Sequence, residues 1–336
     1  MALVTHVTQA QAGSMDSDEL RRVIGVASLA PSVHNTQPWL FTVTADGNLE
    51  VRADPSRQLL ALDPRARQLL VSCGGAIEFA RLAIRAAGTA CAVELLPDPG
   101  DPLLLAVLRP GAESAGTLEE VALVDAATRR HTDRGPYADG VLPPSLLDEL
   151  RTGVEQYGLW LRHIDLPVDR VIVIGALSDA EQRLTADPAY VDELHRWTTG
   201  EPAEDGIHHA PPLWPADRVS DVPLRDFTAQ GVHRSTGTGE PPVVERDTLV
   251  LLGSVVDDAD AHIATGRALA WLLLRITVSG IAGQPLGQAF DDLAGRVRLG
   301  SDLRLIGYPQ FLLRMGYGHA SEHTARRQIE DVLVNR

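Results

Sequence analysis

The chain contains no lysine; all of its basic side chains other than histidine are arginines. This excludes a Schiff-base lysine and a phosphate-loop lysine at once. Cysteine is almost as scarce. Cys73 and Cys91 have neither the number nor the spacing of a disulfide framework or zinc site, and their apolar neighbours mark them as packing residues. No apolar run reaches the ~18 residues of a membrane span. The best candidate, ALAWLLLRITVSGIAG, is interrupted by Arg275 and reads as a buried helix. The first twenty residues lack the basic start and apolar core of a secretory signal, so a reducing cytoplasm is the expected setting. No H-E-x-x-H or similar ligand spacing occurs, which argues against a metal, and no nucleophile–base triad stands out. The net charge of -15 argues against sequence-independent nucleic-acid binding, while leaving room for a small anionic ligand.

What is present is an ordinary globular composition, 44% hydrophobic and 22% charged, in a chain of 336 residues. Residues 16–29 predict a helix: Asp16 or Ser17 caps it, and Leu20, Val23, Ile24 and Ala27 recur at helical spacing. Ala30-Pro31 ends it. Residues 39–44 and 49–53 flank Asp-Gly-Asn and predict a hairpin. Residues 66–87 predict a long apolar helix closed by Gly88, followed by short strands near 90–95 and 103–108. A GAESAGT linker then leads to a helix at about 117–128.

The pattern partly repeats. PPSLLDELRTGVEQYGLWLRHI (143–164) echoes the helix-to-strand passage of residues 16–43, without the PSVHNTQ insert. ALAWLLLRITVSG (268–280) echoes AIEFARLAIRAAG (76–88) in length, apolar weight and closing glycine. A tandem duplication with diverged halves follows, equivalent to a homodimer fused into one chain. Residues 199–242, rich in Gly, Pro, His and Asp, are too long for an ordinary connection. IHHAPPLWP and LRDF within them suggest a lid that packs on something, with His208 and His209 as lid residues.

Three polar clusters stand out: PSVHNTQ after the first helix, RRHTDRGPY (129–137) after the helix near 117–128, and ARRQIEDVL towards the C-terminus. Arginine forks with a hydroxyl suit a phosphate group. SGIAGQPLGQAF (279–290) reads as a helix–glycine loop–helix junction whose backbone N–H groups would face an electron-rich ligand atom.

These motifs carry a family resemblance. APSVHNTQPW resembles the A-P-S-x-x-N-x-Q-P-W signature of the FMN-dependent nitroreductases, and RRHTDRGPY resembles their phosphate arm. GYPQFLLRMGYG (307–318) with ARRQIEDVL resembles their C-terminal run. In an ordinary nitroreductase the arm precedes the A-P-S signature. Here the signature lies in the first half and the arm in the second, as in the Acg-type branch, where two nitroreductase-like halves are fused. The resemblance implies an α+β nitroreductase-like fold: two halves, 1–115 and 116–336, form a pseudo-dimer of antiparallel or mixed sheets flanked by helices. A lid is inserted at about 199–242.

By the same resemblance, Arg130, His131, Thr132 and Arg134 would hold FMN phosphate and ribityl oxygens, and Arg326 and Arg327 would complete the phosphate clamp. Pro31, Ser32, Asn35 and Gln37 belong to the loop that would cover the flavin ring. Gly283, Gln284 and Leu286 would offer backbone donors to flavin N5 and O4. The second composite site would be vestigial, giving one FMN per chain. The sequence departs from the family where Arg134 stands in a position that many relatives fill with lysine. No lysine is available to stabilise anionic reduced flavin either. Two functions follow: an NAD(P)H-dependent reductase of nitroaromatics, quinones or similar acceptors, or a non-catalytic protein that sequesters FMN under its lid. A fused pseudo-dimer has little need to dimerise, so a monomer is expected.

Overall fold

The computed structural model describes residues 15–138, 140–198, 203–207, 218–225, 227, 243–245, 247–318 and 324–334. His208 and His209 lie outside them. The first helix, α1 (Ser17–Ala27), starts with a capping box in which Asp16 and Glu19 each accept the other's backbone N–H at 2.8 Å. Its buried face is Leu20, Val23, Ile24 and Ala27. Strands β1 (Trp39–Val43) and β2 (Leu49–Ala53) form the expected hairpin. Then come α2 (Arg67–Ala86), β3 (Thr89–Leu95), β4 (Leu104–Glu113) and α3 (Leu118–Ala127). β4 extends into the expected GAESAGT linker because Glu113 still pairs with Thr89.

The second half opens with α4 (Pro144–Glu155) and β5 (Leu159–His163). Helices α5 (Pro167–Thr185) and α6 (Pro188–Trp197) follow, then the short parallel pair β6 (Arg218–Ser220) and β7 (Val243–Glu245). The chain continues through β8 (Thr248–Ser254), α7 (Ala259–Val278), β9 (Ala282–Leu286), α8 (Leu293–Asp302), β10 (Tyr308–Gly316) and α9 (Ile329–Val332).

Two four-stranded antiparallel sheets result, ordered β1-β2-β4-β3 and β5-β8-β10-β9. Their connections correspond. Each sheet has a helix before its first strand and a 20-residue helix between its second and third strands in chain order. The chain is thus an α+β protein of two matching halves. The main difference lies between the first two strands. A tight turn at Thr44–Asn48 joins β1 to β2, whereas α5, α6, β6 and β7 intervene between β5 and β8. The inserted material therefore begins well before residue 199. It includes two helices, one of which, α6, packs Tyr190 and Leu194 against Leu59 and Leu62 of the first half.

The 20-residue helices α2 and α7 cross at the centre, offset by 192 positions (Arg67 to Ala259, Ala86 to Val278). A Cβ at Gly74 would stand 2.2 Å from the Ile263 carbonyl oxygen, and one at Gly266 would stand 1.9 Å from that of Val71. Both pairs obey the same offset, so the crossing has the reciprocity of a two-fold interface within one chain. Both helices end at a left-handed glycine, Gly88 (φ 85°) and Gly280 (φ 72°). The main core joins α2, α7 and residues of both sheets. Along β8, Val250 and Leu252 face that core, while Leu249 and Leu251 face a second core under α5 and α8, so the second sheet is buried on both faces.

One expectation is corrected. Residues 280–290 are not a helix–loop–helix junction: 282–286 form β9, the edge strand paired with Leu312–Gly316. Pro285 lacks a ladder donor and is tolerated there because the strand is at the edge. Gly283, Gln284 and Leu286 therefore belong to a strand edge and not to a helix N-terminus.

Candidate functional site: a basic cleft between the halves

The loop between α1 and β1 holds three non-glycine residues in the left-handed region, His34 (φ 49°), Asn35 (φ 55°) and Gln37 (φ 49°). Such conformations cost about 1–3 kcal/mol each and persist only where the surroundings impose them. Here the surroundings come from far along the chain. Asn35 Nδ2 donates to the Ala325 carbonyl (3.1 Å), and Gln37 Nε2 donates to the Glu204 carbonyl (2.7 Å). The Arg327 N–H donates to Gln37 Oε1 (2.8 Å), and Arg327 Nη1 to the Gln37 carbonyl (3.2 Å). Within the loop, the Gln37 N–H donates to Ser32 Oγ (2.9 Å). The insertion adds a clip: the Gly206 N–H donates to the Asn35 carbonyl, and Asp205 pairs with Arg57.

So braced, the loop forms one wall of a cleft that opens to solvent. Pro31, Ser32 and His34 line this wall; Gln68, Ser72 and Gly75 come from α2; Gly266 and Leu269 come from α7. Gln284, Pro285 and Leu286 of β9 face them, with Thr132 and Arg134. The arm loop is tied to the free edge of β9 by a bridge between Thr132 and Gly283. Arg314, fully buried, fastens this corner by donating to Gln284 Oε1 and the Gly135 carbonyl, each at 3.0 Å.

Arg130 lies on the same arm, outside the cleft lining, and is only 6% exposed. Its Nε and Nη1 have no partner among the described residues. Burial, and then the charge of Arg326, push its pKa down to about 9. Arg326 is itself pushed down to about 10 by burial, and its Nε is also without a partner. Its other nitrogens donate to Thr324 and to the carbonyls of Ala325 and Leu29, which hold it at the end of α1. Two guanidiniums that keep buried donors unused, one disfavoured by the charge of the other, are chemically suited to an anion. From Arg130 to Arg134 an extended arm spans at most ~14 Å. An anionic end at Arg130 and a ring in the cleft are thus within reach of one elongated molecule.

A second basic group lines the cleft. Arg134 lies 4.8 Å from the Phe227 ring centroid, and burial and then Arg225 push its pKa down to about 10, against the pull of Asp133. Arg225 pairs with Asp291 at 3.1 Å, and its Nη1 is 3.0 Å from His34 Nε2. Burial, Arg225 and Arg134 hold His34 well below the usual imidazole range, so it is neutral at physiological pH. With Nε2 accepting from Arg225, the proton sits on Nδ1.

The counterpart region differs. By the same offset, Gly75 on the cleft floor corresponds to Arg267 of α7. Arg267 Nε donates to Glu78 Oε2 (3.0 Å), and its guanidinium lies 5.5 Å from the Tyr157 ring centroid. Glu78, fully buried, also accepts from Arg81 Nε (2.8 Å) and the Tyr157 hydroxyl (2.9 Å). An ion cluster fills the place that the first site leaves open.

Of the residues expected at the site, Pro31, Ser32, Thr132, Arg134, Gln284 and Leu286 line the cleft, and Gly283 sits beside it. Arg130 lies outside the lining, close enough to Arg326 to be disfavoured by its charge. His131 lies on the same arm, its Nδ1 3.2 Å from the Arg129 carbonyl. Asn35, Gln37 and Arg327 are engaged in bracing the loop. Sequence reasoning missed His34, Gln68, Arg225 and Phe227 as cleft residues. Only the aromatic LRDF segment carried a hint of the last two.

Fold and site together define an α+β protein of two matched halves with a basic cleft between them. No family profile matches the chain. It is 29% identical over 326 residues to a Mycobacterium tuberculosis protein provisionally named NAD(P)H nitroreductase Rv3131, covering 95% of this chain and 92% of that one. It is equally similar, at 29% over 326 residues, to one provisionally named NAD(P)H nitroreductase acg from the same organism, covering 94% and 95%. A solved nitroreductase with bound FMN from Desulfitobacterium hafniense matches at 11% identity and a TM-score of 0.38, over 62% of this chain and 95% of that one. Along nearly its whole length the chain is therefore similar to proteins named as NAD(P)H nitroreductases, an Acg-named one among them. No helix among the described residues is long and apolar enough to cross a membrane, and no group of three metal-ligating side chains occurs among them.

Proposed function

We propose that the chain binds FMN in the cleft and works as an oxidoreductase, taking electrons from NAD(P)H and passing them to a small acceptor such as a nitroaromatic or quinone. The names of the full-length relatives support the nicotinamide donor. The observation that carries the cofactor is the Arg130–Arg326 pair, whose unused buried donors fit a phosphate monoester. When bound, the flavin supplies a hydride-accepting N5. The protein's part is position and charge. Arg130 and Arg326 hold the phosphate; His131 and Thr132 supply polar groups along the arm. Pro31 and Ser32 cover the ring from the first half, and the Gly283–Leu286 edge faces it. Asn35, Gln37 and Arg327 keep the covering loop in its left-handed conformation. Residues 1–115 and 116–336 serve as the two halves, the segment about 199–242 as part of the covering insertion, and the chain acts as a monomer.

Anaerobic addition of NADH or NADPH to the yellow protein tests this reading. Flavin absorbance near 450 nm should bleach rapidly. Bleaching by dithionite alone would instead identify a flavin-sequestering protein. Arg130→Ala should weaken FMN retention on dilution by about 2–3 kcal/mol, since the phosphate would lose a charged partner.

A further inference from the structure

We propose that the acceptor taken by this cleft is a planar molecule carrying its own anionic group, a carboxylate or sulfonate, and that Arg225 of the insertion recognises that group. This rests on the oxidoreductase reading and names the substrate class of the same site. Arg225 belongs to neither the covering loop nor the arm; only the insertion brings it to the cleft. Its guanidinium is held from two sides, by His34 Nε2 and by Asp291 Oδ2, and these contacts leave several of its N–H donors over.

Asp291 does not neutralise it alone. The same carboxylate accepts from Gln68 Nε2 at 2.5 Å and lies 3.8 Å from Arg67 Nη2. Arg225 and Arg134 both line the cleft, where Val33, Leu269, Phe227 and Phe311 supply apolar walls. Tyr190 and Asp291 outweigh the burial of Arg225 and keep it charged. His34 adds a second donor: it is 6% exposed, it lines the cleft, and Nδ1 has no partner among the described residues. A cation with N–H donors left over and a neutral N–H donor set in apolar walls favour an anionic acceptor over a neutral one of the same shape, because only the anion gains charge-assisted hydrogen bonds from them.

The test uses the FMN-loaded protein and two isosteric probes, 4-toluenesulfonate and 4-toluenesulfonamide, titrated while the flavin spectrum is followed. The sulfonate should bind at least ~10-fold more tightly, about 1.4 kcal/mol. With 4-nitrobenzenesulfonate and 4-nitrobenzenesulfonamide as acceptors, the same preference should appear in KM. Arg225→Met should reduce the preference to within ~2-fold, and Arg225→Lys should retain part of it. Equal binding of the two probes by the unaltered protein overturns the proposal, and this arm needs no variant to fold. An intact preference in Arg225→Met also overturns it. If that variant instead shifts only the flavin's midpoint potential or retention, Arg225 acts on the cofactor and the proposal fails. A protein that takes up no FMN fails the oxidoreductase reading itself, and the substrate class falls with it.

Discussion

The two faces of the α2–α7 crossing are related by the same 192-residue offset, yet they carry different groups. On one, Gly75 leaves the helix surface bare, and loop 31–37 covers an open cleft. On the other, Arg267 occupies the corresponding position and, with Glu78, Arg81 and Tyr157, fills the space with an ion cluster. A symmetric pair would have to make both sites from one sequence. A fused pair can keep one for a ligand and turn the other into structure. The difference also separates two uses of arginine: Arg267 pairs with a carboxylate of its own chain, whereas Arg130 has the charge of Arg326 in its surroundings.

The largest effect should come from breaking the closed side. Glu78→Ala strands Arg81 and Arg267 without their shared carboxylate and should cost about 3–5 kcal/mol in urea unfolding. The crossing comes next. Gly74→Ala and Gly266→Ala each drive a methyl into a backbone carbonyl and should each cost about 3 kcal/mol. If the pseudo-two-fold is real in energy as well as in geometry, the two losses should agree to within ~0.5 kcal/mol.

Gly75→Arg transplants the closed side onto the open one. The nearest heavy atom to its Cβ would be 3.7 Å away, so the helix should form normally, which circular dichroism would show. The long side chain should lower FMN affinity by at least ~100-fold, about 2.7 kcal/mol, and undiminished binding would refute the equivalence.

The smallest effect concerns how the open side's helix begins. α7 is capped by Asp258, whose side chain accepts from the Ala261 N–H. α2 has no side-chain cap at Ala66; Asp63 instead accepts from the Leu69 N–H at 2.9 Å. Burial pushes Asp63 up to about 6, against its backbone hydrogen bonds. Since its folded pKa lies above the unfolded value near 4, the native state holds the extra proton between the two. Stability should therefore fall as pH rises from about 4 to about 6, by at most about 1.4 kcal/mol per pH unit, and Asp63→Asn should remove that slope.

Much of this architecture was legible wherever a local rule decides it. The capping box of α1, the Asp-Gly-Asn hairpin and the glycines that close α2 and α7 all follow from nearby residues. The repeat was visible because apolar weight and a closing glycine recur together. The matched stretch began at residue 76, one position after the Gly75–Arg267 exchange that decides which site stays open. β9 was not legible, because Ala-Gly-Gln-Pro-Leu has no strand alternation and only pairing with β10 makes it extended. The polar residues of PSVHNTQ could have been ligands or braces, and no local pattern separates the two. What separates them is a partner 167 residues away for Gln37, and one 290 residues away for Asn35. Arg225 and His34 meet across 191 residues for the same reason.

That 290-residue separation also has a meaning in time. The covering loop leaves the ribosome about 290 residues before Ala325, Arg326 and Arg327. At about 5–20 residues per second, loop 32–37 waits roughly 15–60 s for the segment that brings it to its left-handed shape and supplies half of the anion site. The nascent first half can fold its sheet in that interval, yet it has no cleft. A chain that stopped before residue 325 would carry the loop without the partners that brace it.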